Sequence, residues 1–253
     1  MEQSKESKVI VKRLLDLANK SFKQNMYTFT DFMSEGDLSL FYDNIKEFAF
    51  IKYKIYGGME DTERAMIRFG DEEELGYVEE FPIVCLKISP VLAKFSDELG
   101  HRDYLGALMN LGIERSIIGD IVIKDKLAYV FCKLDIKTYI VDNLYKIKHT
   151  NVKVEEVESA QISIEREPVI KEMIVTSLRV DVIVASVYNK SRSQAITLFR
   201  EHKIYVNGHL YENNSGVLKD GDMVSVRGCG RFRYEGVLRM TGKGRHVIKV
   251  DVY

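Results

Sequence analysis

Lys190-Ser191-Arg192-Ser193-Gln194-Ala195 is the stretch that decides how this chain is read. Leu178-Arg179-Val180-Asp181 precedes it, and Ile204-Tyr205-Val206-Asn207-Gly208 follows. Ser191 with Gln194 three residues on has the spacing of a capping box, so a helix is expected to start here with Arg192 and Ser193 on its exposed first turn. Upstream, Val180 to Tyr188 predicts a short apolar helix, with Asp181 placed where negative charge suits a helix N-terminus and Asn189-Lys190 as the break. Downstream, Ile204 to Val206 predicts a strand, Asn207-Gly208 a tight turn, Asp222 to Arg227 a strand, and Val247 to Val252 a closing strand. Backbone N–H groups and polar side chains converging at a helix start suit phosphate, which makes this segment a candidate phosphate site.

Charge is distributed to match. The formal net charge is -1, yet from Leu178 onward 13 Lys and Arg stand against 7 Asp and Glu, while residues 1–177 carry 24 against 31. A basic C-terminal segment on an acidic body points to a polyanion partner for that end. Between Arg227 and Lys249 seven basic residues are opposed by Glu235 alone, a cluster expected to contact phosphate with little sequence choice.

Composition bounds the rest. A chain of 253 residues with 45% hydrophobic and 30% charged residues suits a folded protein of two or three domains. No apolar run approaches the roughly 20 residues of a membrane span. The polar start MEQSKESK lacks the apolar core of a signal peptide, so a cytoplasmic protein without membrane contact is expected. Cys85, Cys132 and Cys229 are widely spaced and read as inert thiols. No nucleophile–base pair, metal spacing or cofactor fingerprint is present; the expectation is a monomer that is not an enzyme and holds no metal or cofactor.

Helical spacing recurs at Val11, Leu14, Leu15, Ala18 and Phe22, and again at Leu38, Phe41, Ile45 and Phe48 between Asp37 and Phe50. Ile51 to Tyr56 and Arg64 to Phe69 predict two strands around the Gly57-Gly58 turn, and a domain boundary is expected near the acidic run Glu72 to Glu74. Phe81 to Ile88, His101 to Leu111, Ile117 to Ile123, Leu127 to Leu134, Thr138 to Ile147 and Val152 to Val157 then read as β-α-β-β-α-β. That is the order of a ferredoxin-like unit, shared with RNA-recognition motifs. Tyr129 and Phe131 fall on the strand face where such a motif stacks bases, but the basic-glycine-aromatic signature is missing and core packing is preferred for them. His101-Arg102-Asp103 superficially matches a kinase catalytic loop, yet Asn110 sits at the wrong offset, and a cap or domain interface is the preferred reading. Arg102 and Arg115 could add basic surface to the central domain. A polar connector is expected between about Glu158 and Lys171.

These separated elements, with Lys219-Asp220-Gly221-Asp222 and Val226-Arg227-Gly228, resemble the S4-type RNA-binding domain over most of residues 178–236. LGHRDYLGALMNLGIERSIIGDIVI, from Leu99 to Ile123, and YGGMEDTERAMIRFG, from Tyr56 to Gly70, extend the resemblance to the YlmH family of S4-domain proteins from Gram-positive bacteria. Gly100 departs from the hydroxyl residue expected before His-Arg-Asp and puts a local helix cap in doubt.

The resemblance implies an α+β fold of three small domains. An N-terminal α/β domain would occupy 1–74, a central ferredoxin-like βαββαβ domain of RNA-recognition type 75–160, a connector 161–177, and an S4-type αα-β RNA-binding domain 178–253. Carried over residue by residue, the RNA face would comprise Arg179, Lys190, Ser191, Arg192, Ser193 and Gln194, continued by Lys203, Asn207, Arg227, Arg231 and Arg233. His101, Arg102, Asp103 and Arg115 would form a secondary RNA or domain interface. The implied partners are structured RNA, namely rRNA and peptidyl-tRNA, on the large ribosomal subunit during rescue or quality control of stalled translation. The alternatives are a protein-interaction adaptor linked to cell division, and an RNA-modifying enzyme with an unrecognised site.

Overall fold

The computed structural model describes residues 5–59, 62–158 and 168–253. The chain divides into two compact units, Met1–Ile164 and Glu165–Tyr253.

The first unit begins with helix α1 (Lys5–Gln24), which buries Val11, Leu14, Ala18 and Ser21. Phe22, expected on that apolar face, is exposed and meets Phe50 edge to face at 5.6 Å between ring centroids. After strand β1 (Thr28–Phe29), helix α2 (Glu35–Asp43) starts at Ser34, whose hydroxyl accepts from the Asp37 N–H while the Asp37 carboxylate takes the Ser34 N–H. A 3-10 turn over Ile45–Phe48 replaces the rest of the helix predicted to reach Phe50. Strands β2 (Tyr53–Tyr56) and β3 (Met66–Phe69) complete a three-stranded sheet in the order β1-β3-β2, followed by the short helix α3 (Glu72–Leu75). Its core is aromatic: Phe41 packs on Phe48 at 4.7 Å between centroids, and Phe48 stacks on Phe69 at 5.8 Å.

The same unit continues with β4 (Ile83–Pro90), α4 (His101–Asn110), β5 (Ile118–Lys124), β6 (Leu127–Lys133), α5 (Lys137–Asn143), β7 (Lys146–Ile147) and β8 (Thr150–Val157). The five strands are antiparallel neighbours in the order β5-β6-β4-β8-β7, so the predicted β-α-β-β-α-β order forms one ferredoxin-like sheet. Leu86, Ile88, Val130 and Cys132 bury one sheet face against Tyr104, Leu108 and Ile140 of the helices. The second helix is shorter than expected. Leu144 and Ile147, spaced by three, read as helical, but Ile147 belongs to β7 and pairs with Thr150.

The opposite sheet face is also covered. Phe131 and Cys85 cluster with Phe32 and Met66 of the preceding segment, with Phe29 and Phe81 packed around them. Gly58, at φ +101, lets the backbone approach Phe131 so closely that a Cβ would lie 2.3 Å from the ring. Polar ties reinforce the junction: Asp120 accepts the N–H groups of Glu63 (2.8 Å) and Arg64 (3.0 Å), and Arg64 donates to the carbonyls of Phe32 (2.6 Å) and Ile118 (3.1 Å).

The second unit contains β9 (Val169–Val175), α6 (Val180–Val187), α7 (Arg192–Arg200), β10 (Ile204–Val206), β11 (His209–Leu210), β12 (Met223–Val226), β13 (Gly230–Met240) and β14 (His246–Val252). They build a six-stranded sheet in the order β11-β10-β12-β13-β14-β9. Part of the expected connector is therefore strand, paired along its length with β14. The remainder, 161–167, lies outside the described residues. The 11-residue β13 was not expected, because its run of arginines reads as a charge cluster. The two helices cover one face, where Val180, Ile183, Val184, Ala195 and Phe199 meet Val224, Phe232, Tyr234, Ile248 and Val250.

Candidate nucleic-acid interface

Asp181 organises the start of both C-terminal helices. Its side chain is 0% exposed, yet it is ionised and held from two sides. Arg179 donates Nε and Nη2 to the two carboxylate oxygens at 3.0 Å each, and Arg192 donates Nε at 3.1 Å. Burial opposes the charge, but the hydrogen bonds and positive charges of Arg179 and Arg192 outweigh it and hold the carboxyl below its ordinary value. The helix-dipole role expected for Asp181 thus gives way to that of a clamp. Arg179 keeps 34% and Arg192 59% of its side chain exposed, so both guanidinium groups are fixed by a buried acid while still facing water.

The capping box forms as expected. Ser191 Oγ accepts the Gln194 N–H at 3.2 Å, and Gln194 Oε1 accepts the Ser191 N–H at 2.8 Å. This geometry alters the expected role of both side chains: they satisfy the helix start itself instead of reaching outward, and Ser191 Oγ also lies 2.9 Å from Ser193 Oγ. Lys190, half-buried, donates its backbone N–H to Ala185 at 2.8 Å, which joins the two helices closely.

The other candidates separate by sheet parity. Because Cβ atoms alternate along a strand, the core residues Ile204, Val226, Phe232 and Tyr234 leave Tyr205, Ser225, Arg231 and Arg233 on the face away from the helices. On that face Arg227 lies 5.1 Å from the centre of the Tyr205 ring. Arg231 is only 5% exposed and lies 5.6 Å from the centre of the Tyr253 ring, which conflicts with its expected place on a solvent-facing RNA surface. Arg233 is half-buried and pairs in register with Met223 and Asp251. Asn207 and Gly208 have φ of 52° and 80°, as a type I′ hairpin turn requires. The Asn207 amide donates to Asp222 at 2.8 Å and accepts from the Met223 N–H at 2.9 Å, so this side chain builds the turn. Lys203 pairs with Glu201 at 2.7 Å.

The expected single RNA face is therefore two surfaces. One is the helix start carrying Arg179, Lys190, Arg192 and Ser193; the other is the sheet face carrying Arg227 and Arg233. Sequence reasoning missed Tyr205 and Tyr253 as the rings beneath the arginines, although the alternation Arg231-Phe232-Arg233-Tyr234 signalled a strand with one basic face.

In the first unit, Asp103 accepts the Gly100 N–H at 2.8 Å and pairs with Lys148 at 2.7 Å. The Lys148 hydrogen bond, then that of Gly100, holds its carboxyl below the ordinary value, so the cap survives the glycine at position 100. His101 and Arg102 are exposed on the first turn of α4. Arg115 points inward, donating to the carbonyls of Ile118 and Gly119, the latter at 3.1 Å. Burial, then the charge of nearby Arg64, pushes its guanidinium down to about 10. Arg115, part-buried, thus ties a junction, the domain-interface side of its two expected roles. Phe131, 1% exposed, is core as preferred, and Tyr129 is half-buried beside the same cluster.

Residues 77–161 match the family model described as "Putative RNA-binding domain in YlmH". The chain is 33% identical over 132 residues to the ribosome-associated protein quality control protein P2 of Bacillus subtilis. The YlmH family is the one these two likenesses support. The aligned part is 52% of this chain and spans about half, 51%, of that relative. The chain also resembles the solved cell division protein ylmH from Streptococcus pneumoniae, with a TM-score of 0.53 at 18% identity, covering 64% of this chain and 97% of that one. The second likeness is one of fold. Among the described residues no helix is long and apolar enough to cross a membrane, and no group of three His, Cys, Asp or Glu side chains is placed to hold a metal.

Proposed function

We propose that this chain is a non-enzymatic RNA-binding factor of the ribosome, whose C-terminal unit is an S4-type module that grips rRNA and peptidyl-tRNA on the large subunit during quality control of stalled translation. The observation that carries this reading is the pair Arg179 and Arg192, held on buried Asp181 with their guanidinium groups open to water. Guanidinium groups fixed in this way meet phosphate oxygens with little further loss of side-chain freedom. The name of the Bacillus subtilis relative and the description of the matched family model support the ribosomal and RNA parts of the reading.

Sedimentation with purified small and large ribosomal subunits at low salt tests it. The proposal expects the chain to travel with the large subunit, and ultraviolet crosslinks to rRNA and tRNA to fall on residues 178–253. No co-sedimentation with either particle, or crosslinks mainly to protein from residues 1–160, would contradict it and favour an adaptor.

A further inference from the structure

We propose that the central domain holds a second RNA site, in the groove between α4 and the β7–β8 hairpin, which takes a single-stranded or looped segment through its phosphates and one stacked base. The proposal rests on the RNA-binding reading above and locates a contact that reading leaves open. In an RNA-recognition motif the exposed sheet face stacks the bases. Here the corresponding face is covered: Phe131 is 1% exposed and packs with Phe32 and Met66. An RNA contact within residues 77–161 must then use a different surface.

The groove on the helix side offers one. This open groove has about 540 Å³, within the roughly 300–1,000 Å³ typical of small-molecule sites, which is room for a nucleotide. Arg102, Lys146 and Lys148 bring three cations to its lining, with Asn110, Asn143 and Tyr145. Asp103 is the one acid there; it is engaged by Lys148 at 2.7 Å and by the Gly100 N–H at 2.8 Å. That ion pair joins the hairpin turn to the start of α4 and fixes the width of the groove, leaving Arg102 and Lys146 as the cations in excess. Both are exposed.

Tyr145 is the second, independent pointer. It is 73% exposed, the highest value among the exposed large hydrophobic side chains described. It lines the groove beside Lys146, while its neighbour Leu144 is buried. An aromatic ring open to solvent next to cations is the arrangement by which single-stranded nucleic acids are held, the ring stacking a base and the cations meeting the backbone. Gly106 and Ala107 line the helix wall between Arg102 and Asn110, so the middle of that wall carries little side-chain bulk. An acidic peptide would use the cations but would leave the ring without a stacking partner.

The test uses the full chain and a fluorescein-labelled decauridylate, read by anisotropy over a potassium chloride series. Arg102→Ala with Lys146→Ala spares the Asp103–Lys148 pair, so thermal melting should not change. The expected result is a fivefold or greater loss of affinity, with the log–log salt slope shallower by about 1.4, from two lost contacts at about 0.7 each for single strands. Tyr145→Ala should weaken binding about fivefold or more, and Tyr145→Phe should restore it. A wild-type chain that binds neither decauridylate nor ribosomal particles would overturn the RNA-binding reading itself. A wild-type chain that binds, with unchanged affinity in the groove variants, would overturn the groove alone. A polyglutamate peptide displacing the RNA at equal charge concentration, with Tyr145→Ala without effect, would also overturn it in favour of a protein ligand.

Discussion

Two buried aspartates in this molecule hold arginine-bearing segments in opposite ways. Asp120, in the first unit, accepts two backbone N–H groups, and the neighbouring Arg64 and Arg115 turn inward to donate to main-chain carbonyls of Phe32, Ile118 and Gly119. Asp181, in the second unit, takes its hydrogen bonds from Arg179 and Arg192 themselves, and both guanidinium groups keep a side toward water. The residue types are the same and the consequences differ. Around Asp120 the charges close a junction between two sheets, whereas around Asp181 they stay open to water. A basic residue's contribution to an RNA surface is therefore decided by what its partner leaves exposed, and less by its sign.

The largest effect should come from breaking the first arrangement. Asp120→Ala removes a buried acceptor and leaves the part-buried Glu63 and Arg64 N–H groups without it, at about 1–3 kcal/mol for each donor. Urea unfolding should show a loss of about 2–5 kcal/mol in the first unit, with RNA affinity of the folded chain unchanged. Asp181→Asn keeps the volume but removes the charge that both arginines meet. A stability loss of about 1–3 kcal/mol is expected, together with at least a fivefold loss of RNA affinity, because the guanidinium groups are no longer fixed. Equal RNA affinity of the two variants would erase the distinction between the clamps.

The pH dependence sharpens it. The folded-state carboxyl of Asp181 lies below its ordinary value, so its stabilisation is fully present above the unfolded value of about 3.9 and is lost as pH falls through the lower folded value. The stability gap between wild type and Asp181→Asn should be constant from about pH 7 to pH 5 and narrow below about pH 4, as denaturant unfolding across that range would show. The smallest effect belongs to the opposite sheet face. Arg227→Ala removes a cation over Tyr205 worth about 0.5–1 kcal/mol, and should flatten the salt slope of RNA binding by just under 1 if that face touches phosphate.

What was legible in the sequence was local. The Ser191–Gln194 box and the Asn207-Gly208 turn depend on spacings of three residues and one, and both form. The β-α-β-β-α-β order followed from short periodic runs for the same reason. What escaped depended on distant neighbours. Arg115 looks like surface until Ile118, Gly119 and Arg64 are folded around it. Asp181 reads as a helix-dipole residue until Arg192, eleven positions on, is brought back to it. Strand β13 carried a period of two, but Arg231, Arg233 and Arg239 drew the reading toward charge. Strand β9 was obscured by the polar residues Lys171 and Glu172 within an otherwise apolar Val169–Val175.

We propose that Arg192, held by Asp181, grips phosphate on the large ribosomal subunit. The most direct test is the affinity of wild type and Arg192→Gln for purified large subunits across a potassium chloride series, with thermal melting run in parallel to report any cost at the buried carboxylate. The account predicts a steep linear fall of log affinity with log salt for the wild type, and for Arg192→Gln a weaker affinity with a slope shallower by about 0.7–0.9. Superimposable salt dependences for the two proteins, both folded, would contradict it.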